Sequence, residues 1–179
     1  MAFTRILVDG YSVLHGCPEL AGPKAPHSAA ARHELIHWLT QYQDASGIPI
    51  SVFFDGPAAA SPTPTDPAAI EVIYSGKGRT ADDLIERVVH RLLPYGEVLV
   101  VTDDRLERDT VVSMGAMSSS CANFFRTVGA ALAEVRSDLV RHNRKELSRF
   151  HVTGGTAPKK QPVSARPTAK KSSLRGPRK

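Results

Sequence analysis

Aspartates end several predicted strands of this chain. The apolar runs predicted as strands at residues 5–9, 50–55 and 98–103 finish on Asp9, Asp55 and Asp103, and Asp104 follows directly. Ligands of open parallel sheets bind outside the carboxyl ends of the strands, so these carboxylates are expected at one edge. Crowded carboxylates repel one another unless a divalent cation lies among them. Mg²⁺ or Mn²⁺ prefers oxygen ligands and supports phosphate chemistry, so the pattern indicates a metal site.

A further acidic pair, Asp82–Asp83, falls in the first turn of a helix that Thr80 is expected to cap. Thr80 and Asp83 fit the acidic variant of a capping-box spacing. The loop at residues 75–80 follows a predicted strand, so the helix should begin at the same edge of the sheet as the other carboxylates.

Each acid also has an ordinary structural interpretation. Acidic residues such as Asp82 and Asp83 stabilise the N-terminus of any helix by interacting with its dipole. Asp103 or Asp104 can cap the next helix. Asp55–Gly56 is a common turn dipeptide. Asp9 is the hardest to explain in this way, because Tyr11 and Ser12 are not expected to begin a hairpin or a helix. The coincidence of four acidic segments at one edge favours the metal site.

Strands and helices alternate along the chain. Two weaker strands are predicted at residues 70–74 and 116–118, beside the three strong ones. Helices are predicted from Ser28 to about residue 45, from Thr80 to just before Pro94, over 105–113, and from Ser120 toward Leu147. This order predicts an α/β fold with a central parallel sheet of four to five strands.

The charge is divided unevenly between a body and a tail. The chain carries 23 basic and 18 acidic side chains, but eight of the basic ones and none of the acidic ones lie from Thr156 onward. We therefore predict a folded domain at residues 1–153 and a disordered basic tail at 154–179. The proline-rich stretch 56–69 is predicted to be a long loop.

The composition excludes several classes of protein. A hydrophobic content of 41% is ordinary for a globular domain, and no apolar stretch is long enough for a membrane span. Two cysteines cannot form a disulfide framework, so a reducing, cytoplasmic location is predicted. His15 and Cys17 are not expected to bind a metal, because no second pair follows at ligand spacing.

The motifs together resemble the YacP-like NYN domains, which are PIN-like nucleases. The resemblance covers about residues 4 to 140 and is carried by ILVDGY from Ile6, VFFD from Val52, TADDLIE from Thr80 and VTDDR from Val101. It implies a three-layer α/β/α fold and a metal-dependent endoribonuclease. Family members associate with ribosomes, so the resemblance also implies RNA, and translated mRNA in particular, as the substrate.

The resemblance assigns roles to individual residues. It implies that Asp9, Asp82, Asp83 and Asp104 are both catalytic and metal-binding, with Mg²⁺ or Mn²⁺ as the cofactor. It places Asp55 near the site and Asp103 at a small polar position. The family pattern reads DGYN, whereas this chain has Ser12 in place of the Asn, which puts the level of activity in question but not the fold.

Two functional hypotheses remain. In the first, the acids hold a cation and a water activated by it attacks the RNA phosphate in line, while Lys77, Arg79 and Arg105 contact flanking phosphates and Tyr11 stacks on a base. In the second, the change at Ser12 abolishes catalysis and the domain binds RNA or ribosomes. The basic tail suits either. A dehalogenase-like phosphatase is set aside, because it needs a second aspartate where Tyr11 stands.

Overall fold

The computed structural model describes residues 3–57 and 70–152, with side chains described to residue 147. Its five strands form one sheet in which all neighbours pair in parallel, in the order β3-β2-β1-β4-β5. The strands are β1 (Arg5–Asp9), β2 (Ile50–Phe54), β3 (Glu71–Tyr74), β4 (Val98–Val101) and β5 (Met117–Ser119). The predicted α/β fold with a parallel sheet is therefore confirmed, the two weaker strands included.

Six α-helices connect and cover these strands in the described part of the chain. They are α1 (Gly10–Gly16), α2 (Pro18–Ala21), α3 (Ala29–Ser46), α4 (Ala81–Leu92), α5 (Arg105–Ser113) and α6 (Cys121–Val152). A 3-10 turn, Leu93–Tyr95, follows α4 and contains Pro94, the residue before which the helix was predicted to end. The predicted caps Ser28 and Thr80 accept hydrogen bonds from the first turns of α3 and α4. The short helices α1 and α2 were not predicted.

The sheet is buried on both faces by helices. Ile6, Val8 and Val52 point to the face covered by α1, α2, α3 and α6, where Trp38 packs against Phe124 and Phe125. Leu7 and Phe53 point to the opposite face, where α4 and α5 pack through a second set of apolar side chains: Ala81, Ile85, Val89 and Val111. Near-continuous apolar strands follow from this double coverage.

The strand order creates a crevice at the carboxyl ends of β1 and β4. The chain moves outward from β1 to β2 and β3, and then returns to place β4 on the other side of β1. Connections that leave a parallel sheet in opposite directions leave a gap between them, where ligands bind in open α/β folds. The predicted acidic edge lies at this gap.

The chain divides into a unit of residues 1–141, which holds the sheet, and a second unit that begins at His142 within α6. The predicted boundary near residue 153, the basic tail and most of the loop at 56–69 lie outside the described residues. Among the residues that are described, no helix is long and apolar enough to cross a membrane.

Candidate metal centre

Asp9 is the last residue of β1 and also the N-cap of α1. Its Oδ1 accepts hydrogen bonds from the backbone N–H groups of Tyr11 and Ser12, each at 3.1 Å. The expectation that no helix begins here was therefore wrong, and capping explains part of the role of Asp9. One carboxylate oxygen remains uncommitted to the cap, which leaves Asp9 able to bind a ligand at the same time.

Gly10 lets the chain enter α1 directly from the strand. A Cβ atom at this position would overlap the ring of Phe54 in β2, so the close approach of α1 to the sheet requires glycine. Phe54 in turn packs edge-on against Tyr11, with ring centroids 5.2 Å apart. The first turn of α1 is thus fixed against the sheet beside the crevice.

The start of α4 is attached to the end of β2. Asp55 Oδ1 accepts hydrogen bonds from the Ala81 N–H at 2.7 Å and from the Ser75 hydroxyl at 3.2 Å. Thr80 and Asp83 form the predicted capping box, in which each side chain accepts from the other residue's backbone N–H. Asp82 follows Ala81 and lies at the crevice, whereas the capping box uses the exposed Asp83 carboxylate.

Glu107 is an acid of this site that the sequence reasoning missed. It lies in the first turn of α5, three residues after Asp104, whose Oδ1 caps that helix by accepting from Leu106 N and Glu107 N. Only 3% of Glu107 is exposed. Among the described residues, no group donates a hydrogen bond of ordinary geometry to either carboxylate oxygen. The Asp104-x-x-Glu107 spacing was a signal, but it resembles a helix cap.

Three carboxylates from three different elements meet in the crevice. One oxygen each from Asp9, Asp82 and Glu107 lies within 4.8 Å of the other two. Oxygens on opposite sides of a Mg²⁺ ion lie about 4.2 Å apart, since each Mg–O bond is about 2.1 Å. A buried carboxylate without partners is costly, and a cation would satisfy it. The donor set therefore fits a divalent metal ion.

The electrostatics of the site raise the pKa values of all three carboxyl groups when no cation is present. Burial raises the pKa of Glu107 to about 8, with smaller contributions from the charges of Asp82, Asp9 and Asp104, and the Thr102 hydroxyl opposes the rise. Burial also raises the pKa of Asp9 to about 6, against the hydrogen bonds from the α1 backbone. The pKa of Asp82 is raised by burial and by its acidic neighbours. Clustered acids with raised pKa values are typical of functional sites.

The cluster opens into a cleft of about 810 Å³. Of the residues predicted from sequence, seven line this cleft: Asp9, Tyr11, Ser12, Asp55, Asp82, Asp103 and Asp104. Asp83 is not among the lining residues. Lys77 and Arg79, in the loop before α4, and Arg105, at the start of α5, are exposed and also do not line it.

Ser12, which stands where the family pattern has Asn, connects the ends of β1 and β4. Its hydroxyl oxygen accepts a hydrogen bond from the Asp103 N–H at 3.0 Å and lies 3.4 Å from the Thr102 hydroxyl. Asp103 in turn accepts from the Cys121 N–H at the start of α6, at 2.9 Å. Ser12 therefore positions the loop after β4, the loop that carries Asp104.

Comparison with known proteins gives the family. Residues 6–153 match the model of the YacP-like NYN domain. The chain belongs to the YacP-like NYN family. Domains of this family are of the PIN-like nuclease type, and the acidic cluster of this member lies at the edge of the sheet described above.

The chain is similar to a protein of Bacillus subtilis in sequence and in structure. The uncharacterized protein YacP of strain 168 is 30% identical over 125 residues, which are 69% of this chain and 74% of that protein. The crystal structure of Rae1 (YacP) superposes with a TM-score of 0.69 at 25% identity and covers 86% of this chain and 88% of that one. The crystal structure of a tryptophan-to-leucine mutant of Rae1 gives a TM-score of 0.64 at 29% identity, over 83% of this chain and 85% of that one.

Proposed function

We propose that this protein is a metal-dependent endoribonuclease that hydrolyses RNA phosphodiester bonds. The observation that carries the proposal is the buried carboxylate of Glu107, which has an oxygen within 4.8 Å of oxygens of Asp9 and Asp82. Asp9 and Asp82 line the open cleft, and Glu107 lies behind them. A protein that only binds RNA has little use for an anionic pocket at its binding surface, because RNA phosphates would be repelled.

The protein's own carboxylates supply the oxygen ligands, and the surrounding helices hold these carboxylates in place. Asp9, Asp82 and Glu107 hold the cation, Mg²⁺ or Mn²⁺, and Asp104 lines the cleft next to them. The bound cation would activate water and stabilise the charge that develops on the phosphate. Asp9 and Asp104 are each fixed by the helix that they cap, so the ligands are positioned before substrate arrives.

Asp83, expected from the family pattern to be a ligand, has a different role in this proposal. Its carboxylate accepts from the Thr80 N–H at 3.1 Å and stabilises the start of α4. The two hydrogen bonds of the capping box fix the first turn of α4, and this turn carries Asp82 at the cleft.

RNA is proposed as the substrate on the basis of family membership. Tyr11 forms part of the cleft wall and offers a ring on which a base can stack. Lys77, Arg79 and Arg105 are exposed near the starts of the two helices that carry Asp82 and Glu107, where they can contact flanking phosphates. The resemblance implies mRNA on ribosomes, a substrate that requires a cytoplasmic location.

Cleavage of end-labelled RNA by the purified protein tests the proposal. We expect cleavage with Mn²⁺ or Mg²⁺, none with EDTA, and none by an Asp9→Asn variant that remains folded. Parallel reactions with purified ribosomes carrying the RNA measure whether translated mRNA is cleaved faster than free RNA. RNA binding without cleavage under every condition would instead support a binding module. Ser12, in place of the Asn of the family pattern, would then be the first residue to test as the cause of lost catalysis.

The basic tail is proposed to add sequence-independent attraction for RNA. Neutralising phosphates releases counterions, so a variant that ends at Thr153 should bind RNA more weakly and with a smaller salt dependence than the full chain. Equal affinity and equal salt dependence for the two proteins would exclude this role of the tail.

A further inference from the structure

Two histidines that line the same cleft are in contact. His15, in the last turn of α1, and His27, just before the cap of α3, place their Nε2 atoms 3.1 Å apart. Both side chains are exposed and line the cleft. His15 alone gives no metal signal in the sequence, and the fold brings a second imidazole to it from twelve residues away.

The His27 imidazole is held in place by neighbouring groups, and the His15 imidazole contacts it. The ring of Tyr11 packs against that of His27, with centroids 4.6 Å apart. The Arg32 guanidinium donates to the His27 backbone carbonyl at 2.8 Å and to the Tyr11 hydroxyl at 3.3 Å. The two histidine rings are tilted by 62° with their centroids 4.9 Å apart, so they are not stacked. Their Nε2 atoms face each other across a short gap.

This separation suits two nitrogen ligands of one metal ion. With Zn–N bonds of about 2.05 Å, nitrogens 3.1 Å apart subtend about 98° at the ion, within the range of a distorted tetrahedron. Imidazole prefers Zn²⁺, Co²⁺ and Ni²⁺, whereas the carboxylate cluster suits Mg²⁺ and Mn²⁺. A neutral pair can instead share one N–H hydrogen bond, which needs no ion.

A carboxylate lies in the same wall of the cleft. Asp103 uses Oδ1 to accept from Cys121 N, and its Oδ2 lies beside Gly16, where a Cβ atom would come within 2.5 Å of it. Gly16 directly follows His15 and also lines the cleft. Asp103 does not complete a three-ligand group with the histidine pair, since among the described residues only Asp9, Asp82 and Glu107 each bring a ligand atom within 4.8 Å of the other two.

We propose that His15 and His27 form a second divalent metal site, distinct from the carboxylate cluster, that takes an imidazole-preferring ion such as Zn²⁺ or Co²⁺. Two imidazoles leave coordination positions open toward the cleft. An ion bound there presents positive charge to a phosphate or other anion that enters the cleft.

Co²⁺ spectroscopy on the full chain, without an affinity tag, tests this site at pH 7.5. Tetrahedral nitrogen coordination gives visible absorption bands that octahedral oxygen coordination gives only weakly, so the two sites are distinguished by colour. The cysteines do not compete, because both are buried and burial raises the pKa of the Cys17 thiol to about 11 and that of Cys121 further. Zn²⁺ added afterward should displace the Co²⁺ and remove the bands.

Four variants distinguish the histidine site from other metal-binding groups. We expect His15→Asn and His27→Asn to lose the bands, and His33→Asn, an exposed histidine of α3 outside the cleft, to keep them. Asp82→Asn should also keep them, which separates this site from the proposed nuclease centre. Wild-type bands that survive in His27→Asn, or a wild-type protein without such bands, would overturn the proposal and leave only a hydrogen-bonded pair.

Discussion

A carboxylate oxygen of Glu107 lies within 4.8 Å of one from Asp9, although Asp9 ends β1 and Glu107 lies in α5. Glu107 is buried and, among the described residues, receives no hydrogen bond of ordinary geometry on its carboxylate, whereas Asp9 caps α1. A buried acid and a half-buried acid at this separation repel each other unless one is protonated or a cation is bound. The stability and the activity of the protein should therefore both depend on this contact.

The metal-free protein should lose stability as the pH rises toward 8. The folded pKa of Glu107, about 8, lies above the ordinary value of 4.5. Its contribution to the free energy of unfolding is therefore complete below pH 4.5 and is lost as the pH rises through about 8. The loss is on the order of a few kcal/mol. Asp9 adds a change of the same sign between its ordinary value of 3.8 and about 6.

Urea unfolding in EDTA between pH 5 and 9 measures this loss. Glu107→Gln should remove most of the slope above pH 6, because the amide does not ionise. Glu134→Gln, which changes an exposed acid of α6, is the matched control and should keep the wild-type slope. If Glu107→Gln also kept that slope, Glu107 would not be the group responsible.

The affinity for Mn²⁺ should increase between pH 6 and 8.5. Binding requires carboxylates that have released their protons, and Asp9 and Glu107 have folded pKa values of about 6 and about 8. Calorimetric titrations in two buffers with different heats of ionisation measure the protons released per ion bound. Roughly one proton should be released near pH 7. An affinity independent of pH would show that the ion binds elsewhere.

Asp82 and Asp83 should respond differently to the same substitution. Asp82→Asn removes an oxygen of the cluster and should abolish measurable Mn²⁺ binding with little loss of stability. Asp83→Asn should keep Mn²⁺ binding and cost about 0.5–1 kcal/mol, because the capping box is weakened. Each variant is the control for the other. Loss of Mn²⁺ binding in Asp83→Asn would instead support the family pattern, in which both aspartates are ligands.

Ser12→Ala should lower cleavage more than it lowers stability. The loss of the hydrogen bond from Asp103 N costs about 1 kcal/mol in the free energy of unfolding. It also releases the loop that carries Asp104, so we expect cleavage to fall by about tenfold or more, as for other groups that orient a metal site. Cleavage assays and urea unfolding, with Ser137→Ala on the exposed side of α6 as control, compare the two effects. Unchanged cleavage would exclude a positioning role for Ser12.

The fold could be predicted from sequence largely because its strands are buried on both faces. Runs such as Val98–Val101 are apolar throughout, and polar caps such as Thr80 separate them from amphipathic helices. Helix α1 was missed because it is only seven residues long and begins with Gly10. Glycine has a low helix propensity, and here it is selected by its contact with Phe54, which is distant in sequence.

The site was predicted less completely than the fold. The edge where Asp9 and Asp82 meet follows from strand order, but the direction in which each carboxylate points does not. Glu107 lies in a helix whose other first-turn residues are polar or exposed, so its sequence context is that of a surface residue. Its burial is a tertiary effect of packing α5 against the sheet. The contact of His15 with His27 also could not be predicted from the sequence, because it depends on how α1 packs against the segment before α3.

Cleavage of labelled RNA in Mn²⁺ by the wild type, Glu107→Gln and Glu134→Gln tests the nuclease centre most directly. Glu107 is the residue whose burial has no explanation other than a cation or a bound proton, and Glu134 is its exposed control. We predict that Glu107→Gln lowers the rate at least about 100-fold, as expected when charge stabilisation is lost, while Glu134→Gln cleaves like the wild type. Equal rates for all three proteins, or no cleavage by the wild type, would contradict the proposed centre.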